Sequence, residues 1–307
     1  MIEGIFCASF TAFAADGSID RERTVGHARD LIDIGCTGVA LLGTTGEANS
    51  LSCAERMTLL EAAVGQGIDP ARLLPGTGLC SVPETVMLTR HALDCGVRTV
   101  LLLPPFYYPN PDLAGLVDHY ARILDMVADD RLRVLLYNIP QMTGISIDAD
   151  LIDALRRRYP DSVVGIKDSS GDLKHMQDLV ATFPGFSVLA GADPLVGPLL
   201  RSGGAGGVTA TANLIAPLLV ELFDHVRSGA GTADTHALED RIAALRNLFQ
   251  NWAQIPALKA GKAILSGDRA WHHVRPPMVA LPEGQWSVLA DAMRHAGLGQ
   301  IAIPTAA

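Results

Sequence analysis

From Ile5 to Val226, short apolar runs alternate with longer amphipathic stretches, and this alternation restricts the fold more than any other feature. The runs are Ile5–Phe10, Gly38–Leu42, Leu73–Gly76, Thr99–Leu103, Val134–Tyr137, Val163–Lys167, Ser187–Ala190 and Gly207–Thr209. Each is nearly continuous in aliphatic residues. A strand with one wet face would alternate with polar residues, so these read as strands covered on both faces, as in a parallel sheet.

The stretches between them carry helix-start signals. Ser52 and Glu55 are spaced as a capping box, as are Ser81 and Glu84, where Pro83 falls in the first turn and loses no hydrogen bond. Helix-length segments follow at Asp112–Val127, Asp148–Tyr159, Asp172–Phe183 and Pro194–Arg201. Leu214, Leu218, Leu219, Leu222, Phe223 and Val226 then repeat at helical spacing. Eight strand–helix units in series predict an α/β fold, a (β/α)8 or TIM barrel. An open doubly wound sheet should carry a glycine-rich dinucleotide fingerprint after its first strand, and the chain has none there.

After Gly229 the alternation stops. Ala233–Asn251, Ile255–Leu265 and Glu283–Ala296 read as helices, with a loop at His272–Pro277 before the last. No Gly/Ser linker sets them apart. The expected organisation is a barrel over residues 1–228 and a helical extension over residues 229–307 packed on it. The 307 residues, 49% of them hydrophobic, suffice for a large core.

Acids outnumber bases, 33 to 24, for a net charge of −9. A nucleic-acid binder would need a basic stripe, so that class is excluded. Cys7, Cys36, Cys53, Cys80 and Cys95 are odd in number and lack metal-ligand spacing, which predicts reduced thiols in a cytoplasmic protein. The N-terminal stretch has no basic region typical of a signal peptide. No apolar run approaches the roughly 18 residues of a membrane span.

Barrel enzymes place reacting groups where strands end and βα loops begin. The sixth run ends in Lys167. An ammonium at a barrel mouth is poorly solvated, and a free amine facing a ketone suggests a Schiff base. Taken alone, Lys167 reads as an ordinary solvated strand-end lysine. Tyr137 ends the neighbouring run, where a phenol could shuttle protons or simply sit as an edge aromatic. After the second run, Thr44 and Thr45 lie between Gly43 and Gly46, and their hydroxyls and loop N–H groups could cradle a carboxylate. Tyr107 and Tyr108 lie in a proline-rich loop after the fourth run. The glycine run at 203–207 has only Arg201 as a nearby cation and reads as close backbone packing. His272 and His273 are adjacent, so their side chains diverge and do not read as a metal pair. The chain has no HExxH, EF-hand, Walker or nucleophile-elbow motif.

In order, Gly43-Thr44-Thr45-Gly46-Glu47, Tyr137-Asn138-Ile139-Pro140 and Gly165-Ile166-Lys167-Asp168 resemble the dihydrodipicolinate synthase / N-acetylneuraminate lyase family. The resemblance runs over essentially the whole chain, including Ile255-Pro256 and the helical tail. It implies a class I, Schiff-base aldolase mechanism on a (β/α)8 barrel, without metal or organic cofactor. It also implies assembly as a homotetramer, a dimer of dimers. Carried over position by position, Lys167 would attack the keto carbon of pyruvate or another 2-oxo acid. Tyr137 would move protons. Thr44 would link Tyr137 to Tyr107, which reaches across a subunit interface in the synthases. Thr45 and Gly46 would hold the carboxylate, and Val208 and Thr209 would line the pyruvate end.

The chain departs from the family where substrates are chosen. Synthases carry an arginine for the second substrate's carboxylate where this chain has Met142, and losing a bidentate clamp is a large change. Sialate lyases carry Asp-Glu after the seventh strand, and this chain has Asp193-Pro194. The pattern favours a lyase acting on a 2-keto-3-deoxy sugar acid or a similar 2-oxo acid. The alternatives are 4-hydroxy-tetrahydrodipicolinate synthase proper, a Schiff-base dehydratase, and a catalytically silent barrel that binds a 2-oxo acid.

Overall fold

The computed structural model describes residues 1–229 and 232–301. Seven parallel strands form one sheet: β1 (Gly4–Ala8), β2 (Gly38–Ala40), β3 (Thr99–Leu102), β4 (Arg133–Asn138), β5 (Val163–Asp168), β6 (Ser187–Ala190) and β7 (Gly206–Thr209). Their order is β2-β1-β7-β6-β5-β4-β3. The expected third strand, Leu73–Gly76, lies between the two ends of that sheet. The N–H groups of Leu74 and Gly76 donate to Val39 and Leu41, and Pro75 accepts from Leu101. Single bridges join Val39 to Leu73 and Gly76 to Leu101. Pro75 has no N–H, so the segment makes isolated bridges rather than a full ladder. The eight segments close the barrel.

The helices that follow the strands are α1 (Arg21–Asp33), α2 (Cys53–Gly65), α3 (Val82–Asp94), α4 (Leu113–Val127), a short α5 (Pro140–Thr143), α6 (Ala149–Arg158), α7 (Leu173–Thr182), α8 (Val196–Arg201) and α9 (Ala212–Ser228). Then come α10 (Thr232–Leu248), α11 (Gln254–Ser266) and α12 (Glu283–His295). Helix α2 opens with the expected capping box: Ser52 accepts from the Glu55 N–H, and Glu55 reaches back to the Ser52 N–H. Such a cap contributes about 1 kcal/mol. At α3 the Glu84 N–H donates to Ser81 over 3.5 Å, a weaker cap.

Two apolar layers follow from the pleat. Phe6, Ala8, Ala40, Leu74, Leu101, Leu135, Leu189 and Val208 fill the barrel interior, with Val164 packed against them. Every closing segment therefore contributes. A larger cluster, including Cys7, Val39, Leu136, Ile166 and Val188, joins the outer strand faces to the helices. Gly165 faces inward two residues before Lys167. A Cβ there would stand 2.6 Å from Leu135 and 2.4 Å from the Ser187 carbonyl, so only glycine fits beneath the lysine. Among the described residues, no helix is long and apolar enough to cross a membrane.

Candidate active site

Lys167 and Tyr137 are register partners on β5 and β4. Both point into the barrel at its C-terminal end and both are buried. The Lys167 ammonium lies 4.2 Å from the centroid of the Tyr137 ring. The Tyr137 hydroxyl is 3.3 Å from Thr44 Oγ1. Burial alone would push the phenol up. The charge of Lys167 and hydrogen bonds from Thr44, Lys167 and Ser169 outweigh it and hold the phenol below its ordinary value. A phenol adjusted in this way, beside an amine, can both give and take a proton.

The residue after Lys167 locks its strand end. Asp168 accepts from Asn138 Nδ2 at 3.1 Å and from the Ser170 N–H at 2.8 Å, and it is fully buried. Asn138 in turn accepts from the Ile147 N–H at 3.0 Å. Lys167 and Tyr137 are thus each followed by a residue of one buried polar network.

The loop carrying Thr44 and Thr45 is strained at both ends. Leu42 (φ 59°) and Glu47 (φ 57°) lie in the left-handed region. That region costs a non-glycine residue about 1–2 kcal/mol. Gly46 lies against Ser9 and Leu42, where a Cβ would meet backbone at 3.1 and 3.3 Å. Its carbonyl accepts from Thr11 Oγ1 at 2.7 Å. Compensation for the strain comes from the far end of the chain. The Glu47 carboxylate accepts from Lys259 Nζ at 2.5 Å and from the Arg275 N–H at 2.9 Å. Lys259 also donates to the His273 carbonyl at 2.6 Å. Both cations face Phe13, at 4.6 Å for Lys259 and 4.9 Å for Arg275. Thr45 is buried in this loop.

Lys167, Tyr137 and Thr44 therefore come together. Val208 belongs to the barrel interior, and the pleat turns Thr209 to the opposite face of β7. There the buried Asp193 sits with Thr209, Thr211 and Arg246, whose Nε is 3.6 Å from Asp193 Oδ2. Burial raises the Asp193 carboxyl, against pulls from Thr209, Arg246 and Thr211. Met142, in α5, is 66% exposed, and Tyr107 is 75% exposed, packed edge-to-face on Tyr108. Neither touches Lys167 or Tyr137 through a described hydrogen bond. Among the described residues, no group of three or more His, Cys, Asp or Glu side chains is placed to hold a metal ion.

Sequence reasoning names Glu47 only as part of a motif and misses Lys259 and Arg275. Two lysines three residues apart inside the apolar Ile255–Leu265 run were the available signal, since a lysine there needs a buried partner.

The model of the dihydrodipicolinate synthetase family matches residues 1–296. A DapA-like lyase of Chloroflexus aurantiacus is 37% identical over 290 residues, covering 94% of this chain and 95% of that one. A 4-hydroxy-tetrahydrodipicolinate synthase of Methanococcoides burtonii is 32% identical, covering 97% and 99%. Among solved structures, YagE of E. coli K12, a member of the dihydrodipicolinic acid synthase family in complex with pyruvate, superposes with a TM-score of 0.88. It is 27% identical, covering 97% of this chain and 99% of that one. The dihydrodipicolinate synthase of Agrobacterium tumefaciens gives 0.86 at 29% identity, covering 95% and 99%.

Proposed function

Because the chain belongs to the dihydrodipicolinate synthetase family of class I lyases, we propose that it cleaves a 2-keto-3-deoxy sugar acid, or a similar 2-oxo acid, through a Schiff base on Lys167. The observation that carries this reading is the Lys167–Tyr137–Thr44 group, where an amine, a phenol and a hydroxyl meet at the barrel mouth.

Lys167 gives up a proton to the Tyr137 phenolate and attacks the keto carbon of the substrate. Tyr137 returns the proton to the carbinolamine oxygen, then carries a second proton from the nitrogen to that same oxygen, which leaves as water and yields the iminium. Tyr137 then takes the proton of the C4 hydroxyl. The C3–C4 bond breaks, its electron pair moves into the iminium, and an aldehyde departs. Protonation of the enamine at C3 and hydrolysis release pyruvate and the free lysine. Thr44 holds the phenol through these transfers. Thr45 and the N–H groups around Gly46 hold the substrate carboxylate, as a fixed donor set does for a developing or bound anion.

The Val208 backbone lines the pyruvate end, whereas Thr209 and Asp193, on the other face of β7, lie outside it. Met142 favours an acceptor without a second carboxylate. In the synthase reading, supported by the named synthases among the relatives, pyruvate would instead condense with an aldehyde. Tyr107, exposed in one chain, would complete the site from a second copy in a dimer of dimers. The helices after α9 serve the barrel site in this reading, since Lys259 and Arg275 brace the Thr44–Thr45 loop. The test is a pyruvate-release assay on a panel of 2-keto-3-deoxy acids. Turnover of at least one, lost in Lys167→Ala, supports the reading. Turnover only as condensation, or only as water loss without pyruvate, replaces it.

A further inference from the structure

A small cavity lies between α2 and the Thr44–Tyr137 pair. Its volume is about 20 Å³, and Gly43, Thr44, Ala48, Asn49, Arg56 and Tyr137 are among its walls, with aliphatic side chains and further glycines completing it. A space of about 10–15 Å³ already holds one water. Three features of the walls bear on what sits there.

The first is a buried cation held only by neutral groups. Arg56 is 2% exposed. Its Nε and Nη2 donate to the Ala48 carbonyl at 3.0 and 2.5 Å, and Nη2 also donates to Asn49 Oδ1 at 3.3 Å. None of these acceptors is a carboxylate. Burial pushes the guanidinium down, and the charges of Cys53 and Glu84 oppose that shift without forming an ion pair. A buried charge calls for a full set of hydrogen bonds. Among the described residues, Nη1 donates to no group, so a charged donor in the cavity wall is left unmet.

The second is the hydroxyl pair on the facing wall. Thr44 Oγ1 and the Tyr137 hydroxyl stand 3.3 Å apart, whereas bonds between hydroxyls usually measure about 2.5–3.0 Å. Both oxygens keep capacity for a further partner, since each can donate once and accept twice.

The third is a missing side chain. Gly43 lines the cavity, its backbone lies outside the left-handed region, and a Cβ there would meet nothing within 4 Å. Neither conformation nor packing requires the glycine, and its effect is to keep the space open.

We propose that this cavity is a binding site for one ordered water, held by Arg56 Nη1 and shared with the Thr44 and Tyr137 hydroxyls, which makes Arg56 a positioning residue for the phenol. The inference rests on the reading of Tyr137 as the proton carrier. Through the water, the guanidinium favours the ionised phenol, because hydrogen bonds to a charged group are the stronger ones.

The test pairs a high-resolution crystal structure of the full chain with an alkaline absorbance titration of its tyrosines. Subtracting the curve of Tyr137→Phe isolates the Tyr137 midpoint. The proposal expects a water in the cavity within hydrogen-bond distance of Arg56 Nη1. Arg56→Met should raise the Tyr137 midpoint by about one pH unit, a tenfold weaker dissociation. Arg56→Lys keeps the charge and should raise it less. Gly43→Ala fills the space with a methyl group and leaves the contacts of Arg56 with Ala48 in place. It should therefore fold, as circular dichroism will check, and it should also raise the midpoint. Ionisation is read on the resting protein without turnover, so failure of the Lys167 reading leaves the test intact. A dry cavity, an unmoved midpoint in folded Arg56→Met or Gly43→Ala, or equal rises in Arg56→Met and Arg56→Lys would each overturn the proposal.

Discussion

The ammonium of Lys259 lies 2.5 Å from Glu47 Oε1, with both side chains fully buried and the two residues 212 positions apart in sequence. This pair ties α11 to the loop that presents Thr44. Burial pushes the lysine down, and the Glu47 charge opposes that shift. Removing one partner leaves the other charge buried alone, which costs about 3–5 kcal/mol. Lys259→Met is therefore expected to lower the unfolding free energy by an amount in that range, read from the shift of the urea midpoint. The KM for the 2-oxo acid should rise as the Glu47 end of the loop relaxes. An unchanged midpoint in urea unfolding would refute the bracing role.

Tyr137→Phe removes only the hydroxyl. The Lys167 amine and the carboxylate cradle remain, so substrate should still bind. Loss of a positioned general acid–base costs about 10²–10⁴-fold. The expected outcome is a fall in kcat of that order with KM changed little. Steady-state kinetics on the variant check it, and a kcat within about twofold of the parent would remove Tyr137 from the proton path.

Burial, then the charge of Lys262, hold His27 down to about 3, against 6.5 when exposed; the Asn213 hydrogen bond opposes them. Below 6.5 the unfolded chain takes up a proton that the folded chain refuses. This group's contribution to stability is thus complete above about pH 6.5 and is lost as pH falls toward 3. Its share of the slope is about 1.4 kcal/mol per pH unit within that window. Unfolding free energies measured from pH 7 to pH 4 should fall less steeply in His27→Gln, which keeps a donor for Asn213. Parallel slopes would show that His27 is not the titrating group.

Met142→Arg places a guanidinium at the position where the family resemblance expects one in a synthase. Met142 is 66% exposed, so stability should change by no more than about 0.5 kcal/mol. A bidentate carboxylate contact contributes enough to raise kcat/KM for a carboxylate-bearing aldehyde by about tenfold or more. Condensation of pyruvate with aspartate semialdehyde is the assay. No gain would mean that the second substrate is held elsewhere.

The parts legible in the sequence are those built from neighbours. All eight barrel segments show as apolar runs, including Leu73–Gly76, because burial on both faces leaves a local signature. Ser52 and Glu55 show as a cap because their contact spans three residues. Lys167 and Tyr137 are legible only through strand-end position plus family resemblance, since their contact depends on register between β4 and β5. Glu47–Lys259 and His27–Asn213 join residues 212 and 186 apart. Nothing local marks such pairs beyond a charged or polar residue in an apolar helix. The strain at Leu42 is likewise invisible, since leucine carries no preference for a left-handed turn.

The most direct test of the account is borohydride reduction in the presence of pyruvate, followed by intact-protein and peptide mass spectrometry. The account predicts one stable adduct per chain, on Lys167, with the mass of pyruvate less one oxygen. Absence of that adduct with pyruvate and with longer 2-oxo acids, on folded protein, would contradict it, as would an adduct placed on Lys259 or Lys262.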